Sequence, residues 1–115
     1  MNSVTLIGNL TRDPEIRDAG ESKVVNLGLA ETREGKEGEK TPQYYDVEAW
    51  GDLAEHVAES LEKGDLVIAA GRLRYDSYEK DGEKRSRVKV VASHIGPSLR
   101  FNDVEVQRNG KKGKK

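Results

Sequence analysis

The sequence contains no cysteine, which excludes a disulfide scaffold, a thiolate metal site and a cysteine nucleophile, and suits a reducing compartment. Aromatic residues are scarce: one Trp, one Phe and four Tyr in 115 residues. Histidine occurs twice, as His56 and His94, and neither has a partner at a catalytic or metal-binding spacing. No apolar run approaches the roughly 20 residues that span a bilayer, and Met1-Asn2-Ser3-Val4 does not open a secretory signal. Net charge is nearly absent, at −1, so any attraction to nucleic acid must come from local placement of charge. Gly20, Gly35 and Gly38 are scattered loop glycines with no phosphate-cradling pattern. These absences point to a cytoplasmic domain with no metal, no cofactor and no catalytic residues.

What is present is a set of short apolar runs in a chain that is 36% charged. At this length they can build one domain with one modest core. Val4–Leu10 is β-rich and ends at Thr11-Arg12-Asp13-Pro14, with Gly8 marking a bulge or sharp bend. After a turn over 18–22, a strand from Lys23 to about Thr32 alternates Val25, Leu27 and Leu29 with smaller or polar residues. Residues 33–42 hold no aliphatic or aromatic side chain and predict a mobile hairpin loop.

The strand from Gln43 to Gly51 follows. Tyr45, Val47 and Ala49 make an apolar face, and Tyr44, Asp46, Glu48 and Trp50 make the other. Asp52–Lys63 predicts the helix, with Asp52 and Glu55 as a capping box, an apolar stripe of Leu53, Ala54, Val57, Ala58 and Leu61, and Gly64 as the left-handed stop.

Leu66–Tyr78 and a return strand from Lys84 to about Ile95 flank Asp81-Gly82, which suits a type I′ turn. Pairing Lys80 with Glu83 puts Tyr78 opposite Arg85, Asp76 opposite Arg87 and Arg74 opposite Lys89. After Gly96-Pro97, Leu99–Val106 predicts one more strand. The order β-β-β-α-β-β predicts an all-β, five-stranded antiparallel OB-fold barrel with one helix between strands 3 and 4, plus an extra C-terminal strand. A helix-capped half-open sandwich is the alternative. Residues 1–106 form the expected domain and 107–115 a disordered basic tail.

Two faces carry the candidate chemistry. Tyr44 and Trp50 stand on the polar parity of their strand, and the hairpin presents Arg72, Arg74, Tyr78, Arg85, Arg87 and Lys89 on one side. Cations that track phosphates, with rings that stack on any base, are the requirements of sequence-tolerant single-strand binding. The competing readings are an ordinary solvated hairpin, and rings covered by the long loop or a second subunit. Asp46 and Glu48 share a face as paired carboxylates do, but no nucleophile or metal cluster accompanies them.

Asn2–Arg17, Val47-Glu48-Ala49-Trp50-Gly51, Leu61-Glu62-Lys63-Gly64 and Gly71-Arg72-Leu73 closely resemble bacterial single-stranded DNA-binding proteins. Ile95–Phe101 is similar to their actinobacterial branch. The resemblance implies an OB fold, a homotetramer and non-specific wrapping of single-stranded DNA in replication, recombination or repair. It implies a subunit contact for residues 99–106, base stacking for Tyr44, Trp50 and Tyr78, and basic contacts for Lys63 and Arg74. Phosphate contact by Arg72, Arg87 and Lys89 follows instead from strand parity.

The chain departs from the family pattern in several places. Asp46, Asp52 and Asp76 stand where well-studied members have Arg or Lys, and the loop near Gly35 lacks an aromatic. The basic ending Arg108–Lys115 replaces an acidic tail, so tail-dependent recruitment of other proteins is expected to be missing, as in a short form specialised for a process such as chromosome segregation. An oligomeric interaction module that binds protein through the same surface is the alternative function.

Overall fold

The computed structural model describes residues 1–34, 38 and 40–108. Among these, six strands and one helix follow the order β1 (Val4–Leu10), β2 (Glu15–Ala19), β3 (Ser22–Glu34), β4 (Lys40–Trp50), α1 (Asp52–Ser60), β5 (Leu66–Lys80) and β6 (Glu83–Pro97). The strands run in the sheet order β1-β5-β6-β4-β3-β2, and β1 also pairs with β3. That second pairing closes β1, β5, β6, β4 and β3 into a five-stranded ring, with the helix between its third and fourth strands. This is the expected OB-type barrel.

One pairing is not antiparallel. β4 and β6 run side by side in parallel, with Val47 opposite Val90 and Glu48 opposite Val91. They are separated in sequence by the helix and β5, and a parallel neighbour requires such a crossover.

Alternation explains the interior. Val25, Leu27 and Leu29 of β3 face Ala49, Val47 and Tyr45 of β4 across the ladder, and apart from the half-buried Tyr45 all of these are fully buried. Val67 and Ala69 of β5 with Val90 and Ala92 of β6 complete the core. Ala54 and Val57 of α1, with Leu61 just after it, plug one end.

The β5–β6 hairpin continues beyond the barrel, in the expected register: Tyr78 opposite Arg85, Asp76 opposite Arg87, Arg74 opposite Lys89. Leu73, Tyr75 and Val88 have the core parity but stand on this projection, where no layer covers them, and they are exposed. Asp81 and Gly82 turn the hairpin with φ of 55° and 79°, the double positive φ of a type I′ turn.

Several local expectations change. β2 appears where only a connection was expected, and folds back on β3 from Glu15↔Asn26 to Ala19↔Ser22. Its side chains are largely exposed, so it carries little of the apolar alternation that signals a strand. Gly8 makes no bulge; a Cβ there would lie 2.7 Å from the carbonyl oxygen of Ala30, so the glycine lets β1 approach β3. The register shift lies instead at Ala70/Gly71.

The helix starts one residue earlier than the capping-box reading requires. Gly51 is the N-cap at φ 69°, no side chain caps it, and the Glu55 N–H donates to the Gly51 carbonyl at 3.2 Å. It ends at Ser60, because Leu61 turns extended to drop its side chain into the core. Gly64, at φ 95°, turns the chain afterwards, and its N–H donates to the Leu10 carbonyl at 2.9 Å.

β3 and β4 remain paired out to Glu34↔Lys40, so the ends of the expected 33–42 loop are strand; residues 35–37 and 39 lie outside the described residues. Residues 98–108 form no strand. An extended segment needs a ladder partner for its backbone groups; the Ser98 N–H donates to the Leu66 carbonyl at 2.8 Å, but among the described residues 99–106 pair with no strand. Residues 109–115 of the expected tail also lie outside the described residues.

Candidate nucleic-acid interface

The parallel seam between β4 and β6 builds the site. Residues paired across a ladder share a face, and Val47 and Val90 both point inward. Their neighbours Asp46, Glu48, Arg87 and Lys89 must therefore point outward together. The β5–β6 register adds Arg72, Arg74, Asp76 and Tyr78 to the same side, and β3 adds Asn26 and Gly28, opposite Glu48 and Asp46. The ring face of β4 and the basic face of the hairpin are thus one continuous surface. Tyr44 at 70% exposure, Trp50 at 42% and Tyr78 at 40% mark its aromatic points. The Arg87 guanidinium lies over the Tyr78 ring, 5.5 Å from its centre, within cation–π range.

Glu48 organises the middle of this surface. Although it has outward parity, it is only 3% exposed, because its neighbours close over it. Its carboxylate accepts the Trp50 indole N–H at 2.7 Å and two guanidinium N–H groups of Arg74 at 2.7 and 3.2 Å. Lys89 Nζ stands 3.5 Å away. A buried carboxylate is stable only when paired and hydrogen-bonded in this way. Burial alone would push the Glu48 carboxyl up; the hydrogen bonds from Arg74 and Trp50, with the charges of Arg74 and Lys89, outweigh it and hold it below its ordinary value.

Arg74 also donates from Nε and a terminal nitrogen to Asp76, at 3.0 Å each. Its hydrogen bonds to Asp76 and then to Glu48 raise its pKa further, and the hydrogen bonds it gives lower that of Asp76. Asp76 was expected to pair across the strand with Arg87; it pairs along its own strand with Arg74 instead, leaving Arg87 to the Tyr78 ring. The Trp50 ring is thus fixed by its own strand neighbour but one, with its outer face open.

Residues 1–98 match the single-strand binding protein family. The chain belongs to that family. It is similar to proteins named single-stranded DNA-binding protein from Paenarthrobacter aurescens (43% identical, covering 96% of this chain and 71% of the relative) and Paenarthrobacter nicotinovorans (41%, 96% and 70%). The protein of that name from Mycobacterium leprae is 40% identical over 96% of this chain and 71% of its own length.

Within this family member, the structure brings Tyr44, Trp50, Tyr78, Arg72, Arg74, Arg87 and Lys89 onto one face. Lys63 stands apart, in the turn after α1, where its backbone N–H donates to Asp13 Oδ1 at 2.8 Å. His56 and His94 are exposed, away from the rings' face. The sequence reading missed the burial of Glu48 and the hold of Arg74 by two carboxylates. Its one available signal was the pair of acids, Asp46 and Glu48, between two aromatics on an otherwise basic face.

Proposed function

We infer that the chain is a non-catalytic, sequence-tolerant single-stranded DNA-binding protein that works in the cytoplasm on the nucleoid. The observation that carries this reading is the single continuous face on which exposed rings alternate with cations. Bases stack on Tyr44, Trp50 and Tyr78, and Arg72, Arg87 and Lys89 meet the backbone, with Lys63 contributing at the rim. Each stacked base contributes about 1–3 kcal/mol, enough for a few rings to outweigh a net charge near zero. Arg74 acts through Glu48 and Asp76 by shaping the platform. The names of the relatives support the ligand class.

The same reading takes residues 1–106 as the binding domain and the chain as a homotetramer. Leu99, Phe101 and Val106 are about 70% exposed in the isolated chain, and a neighbouring subunit would cover them and give residues 99–106 a strand partner. The basic residues that follow add phosphate contacts.

The test uses the single Trp. Adding poly(dT) quenches Trp50 fluorescence, with affinity that falls as salt rises by about 0.7 log units per log unit of salt for each phosphate neutralised. A length series of oligonucleotides at two salts gives the site size. Silence of Trp50 in folded protein, or equal affinity for duplex, overturns the reading in favour of a protein-binding surface.

A further inference from the structure

Beside the rings, the outward face contains a second feature. A cleft of about 370 Å³ opens between β6 and the β1–β2 region, lined by Arg12, Arg17, Asn26, Asp46, Arg87 and Lys89. Four cations therefore surround one carboxylate. They come from separate parts of the chain: Arg12 from the connection after β1, Arg17 from β2, Arg87 and Lys89 from β6.

Among the described residues, Arg12, Arg17 and Arg87 have no carboxylate partner, whereas Arg74 is held by two. Lys89 has only the contact with Glu48, at 3.5 Å. Arg12, though exposed, lies against the backbone of Gly28. A Cβ added to Gly28 would lie 2.8 Å from its guanidinium nitrogen and 2.5 Å from Thr11 Oγ1, so the bare backbone of Gly28 leaves the space that Arg12 occupies. A second hollow of about 360 Å³ continues from Arg12, Arg17 and Asn26 along β2 to Glu15 and Ile16.

Asp46 balances one charge at most, and the remaining cations gathered round the concavity repel each other unless a further anion joins them. The geometry points to this cleft as a phosphate subsite for the nucleic-acid backbone, carrying the strand past the rings toward β2, with Arg12 and Arg17 as its contact residues. The assignment rests on the single-strand-binding reading above. β2, which the ring does not need for closure, thereby gains a role: it holds one wall of the subsite.

The experiment compares the parent chain with Arg12→Ala/Arg17→Ala and with Arg12→Lys/Arg17→Lys, using dT oligonucleotides over a fourfold range of chloride. Removing two phosphate contacts lowers the salt slope by about 1.4, so parent affinity falls about sevenfold more than that of the Ala variant over that range. The Lys variant keeps the parent slope, and Trp50 quenching at saturation is unchanged in both. An unchanged slope in the folded Ala variant, with the parent binding normally, overturns the subsite alone; a parent that neither binds nor quenches overturns the function reading. Inorganic phosphate that binds the parent but not the Ala variant, and displaces no oligonucleotide, assigns the cleft to a free anion and overturns the strand assignment.

Discussion

Replacing Glu48 with Ala tests how the platform is held. In the folded chain its carboxylate is 4% exposed and ties together Trp50, Arg74 and Lys89. Charge-assisted hydrogen bonds of this kind contribute about 1.5–3 kcal/mol each, and breaking a buried ion pair by removing one partner costs about 3–5 kcal/mol. The cost here falls below that range. The Arg74 side chain is 35% exposed and keeps Asp76, the Trp50 N–H can turn to water, and the variant no longer buries a carboxylate. Lys89, at 16% exposure, loses the carboxylate that balances it. A net loss of about 2 kcal/mol at pH 7 is expected, read by urea denaturation followed by far-UV circular dichroism at fixed protein concentration.

The pH dependence separates this account from simple packing loss. The Glu48 carboxyl lies below its ordinary 4.5 in the folded chain. Its stabilisation is therefore complete above pH 4.5 and disappears as pH falls through the lower folded value. The gap between parent and Glu48→Ala should narrow steadily below pH 4.5. A gap under about 0.5 kcal/mol at pH 7 would refute the organising role, and so would a gap that stays the same at pH 3.

Other outcomes follow from the same geometry. Trp50→Ala and Tyr44→Ala should each weaken poly(dT) binding by about 5- to 150-fold, the equivalent of 1–3 kcal/mol of stacking; unchanged affinity in both, measured by fluorescence anisotropy of a labelled oligonucleotide, would move the rings out of the site. Arg87→Ala should lower the salt slope by about 0.7, while Arg74→Ala should leave the slope alone and lower the urea midpoint, because its guanidinium is engaged by Glu48 and Asp76. Gly71→Ala should destabilise the fold by about 3 kcal/mol, since the new Cβ would lie 2.0 Å from the Val91 carbonyl oxygen; an unaffected urea midpoint would show that the bulge can open without cost.

Strand parity and turn chemistry were legible before any coordinates. The alternation of Val25, Leu27 and Leu29, the polar parity of Tyr44 and Trp50, and the Asp81-Gly82 register that sets Arg74 beside Lys89 all arise within one strand or one hairpin. The backbone's period of two and the φ demands of a tight turn are local properties, so a local pattern reveals them. The helix boundaries were less legible, because Leu61 follows the helical stripe in sequence yet leaves the helix to fill the barrel end. β2 was not legible at all: its side chains are exposed on a narrow edge, and no burial imprints a pattern on them.

Only the tertiary structure joined the two faces. β4 and β6 are parallel neighbours separated by the helix and β5, and a pairing across such a crossover leaves no mark in either segment. That contact turned Glu48 from a solvent-facing acid into a buried anchor for Trp50, assigned Arg74 to carboxylates, and left Arg87 beside Arg12 and Arg17. The amino-acid order by itself determined which side chains lie on the outer face of each strand, because covalent geometry alternates them. Which of those side chains meet, and which cations remain free for a phosphate, was decided when the barrel closed, because distance between strands is a property of the folded chain.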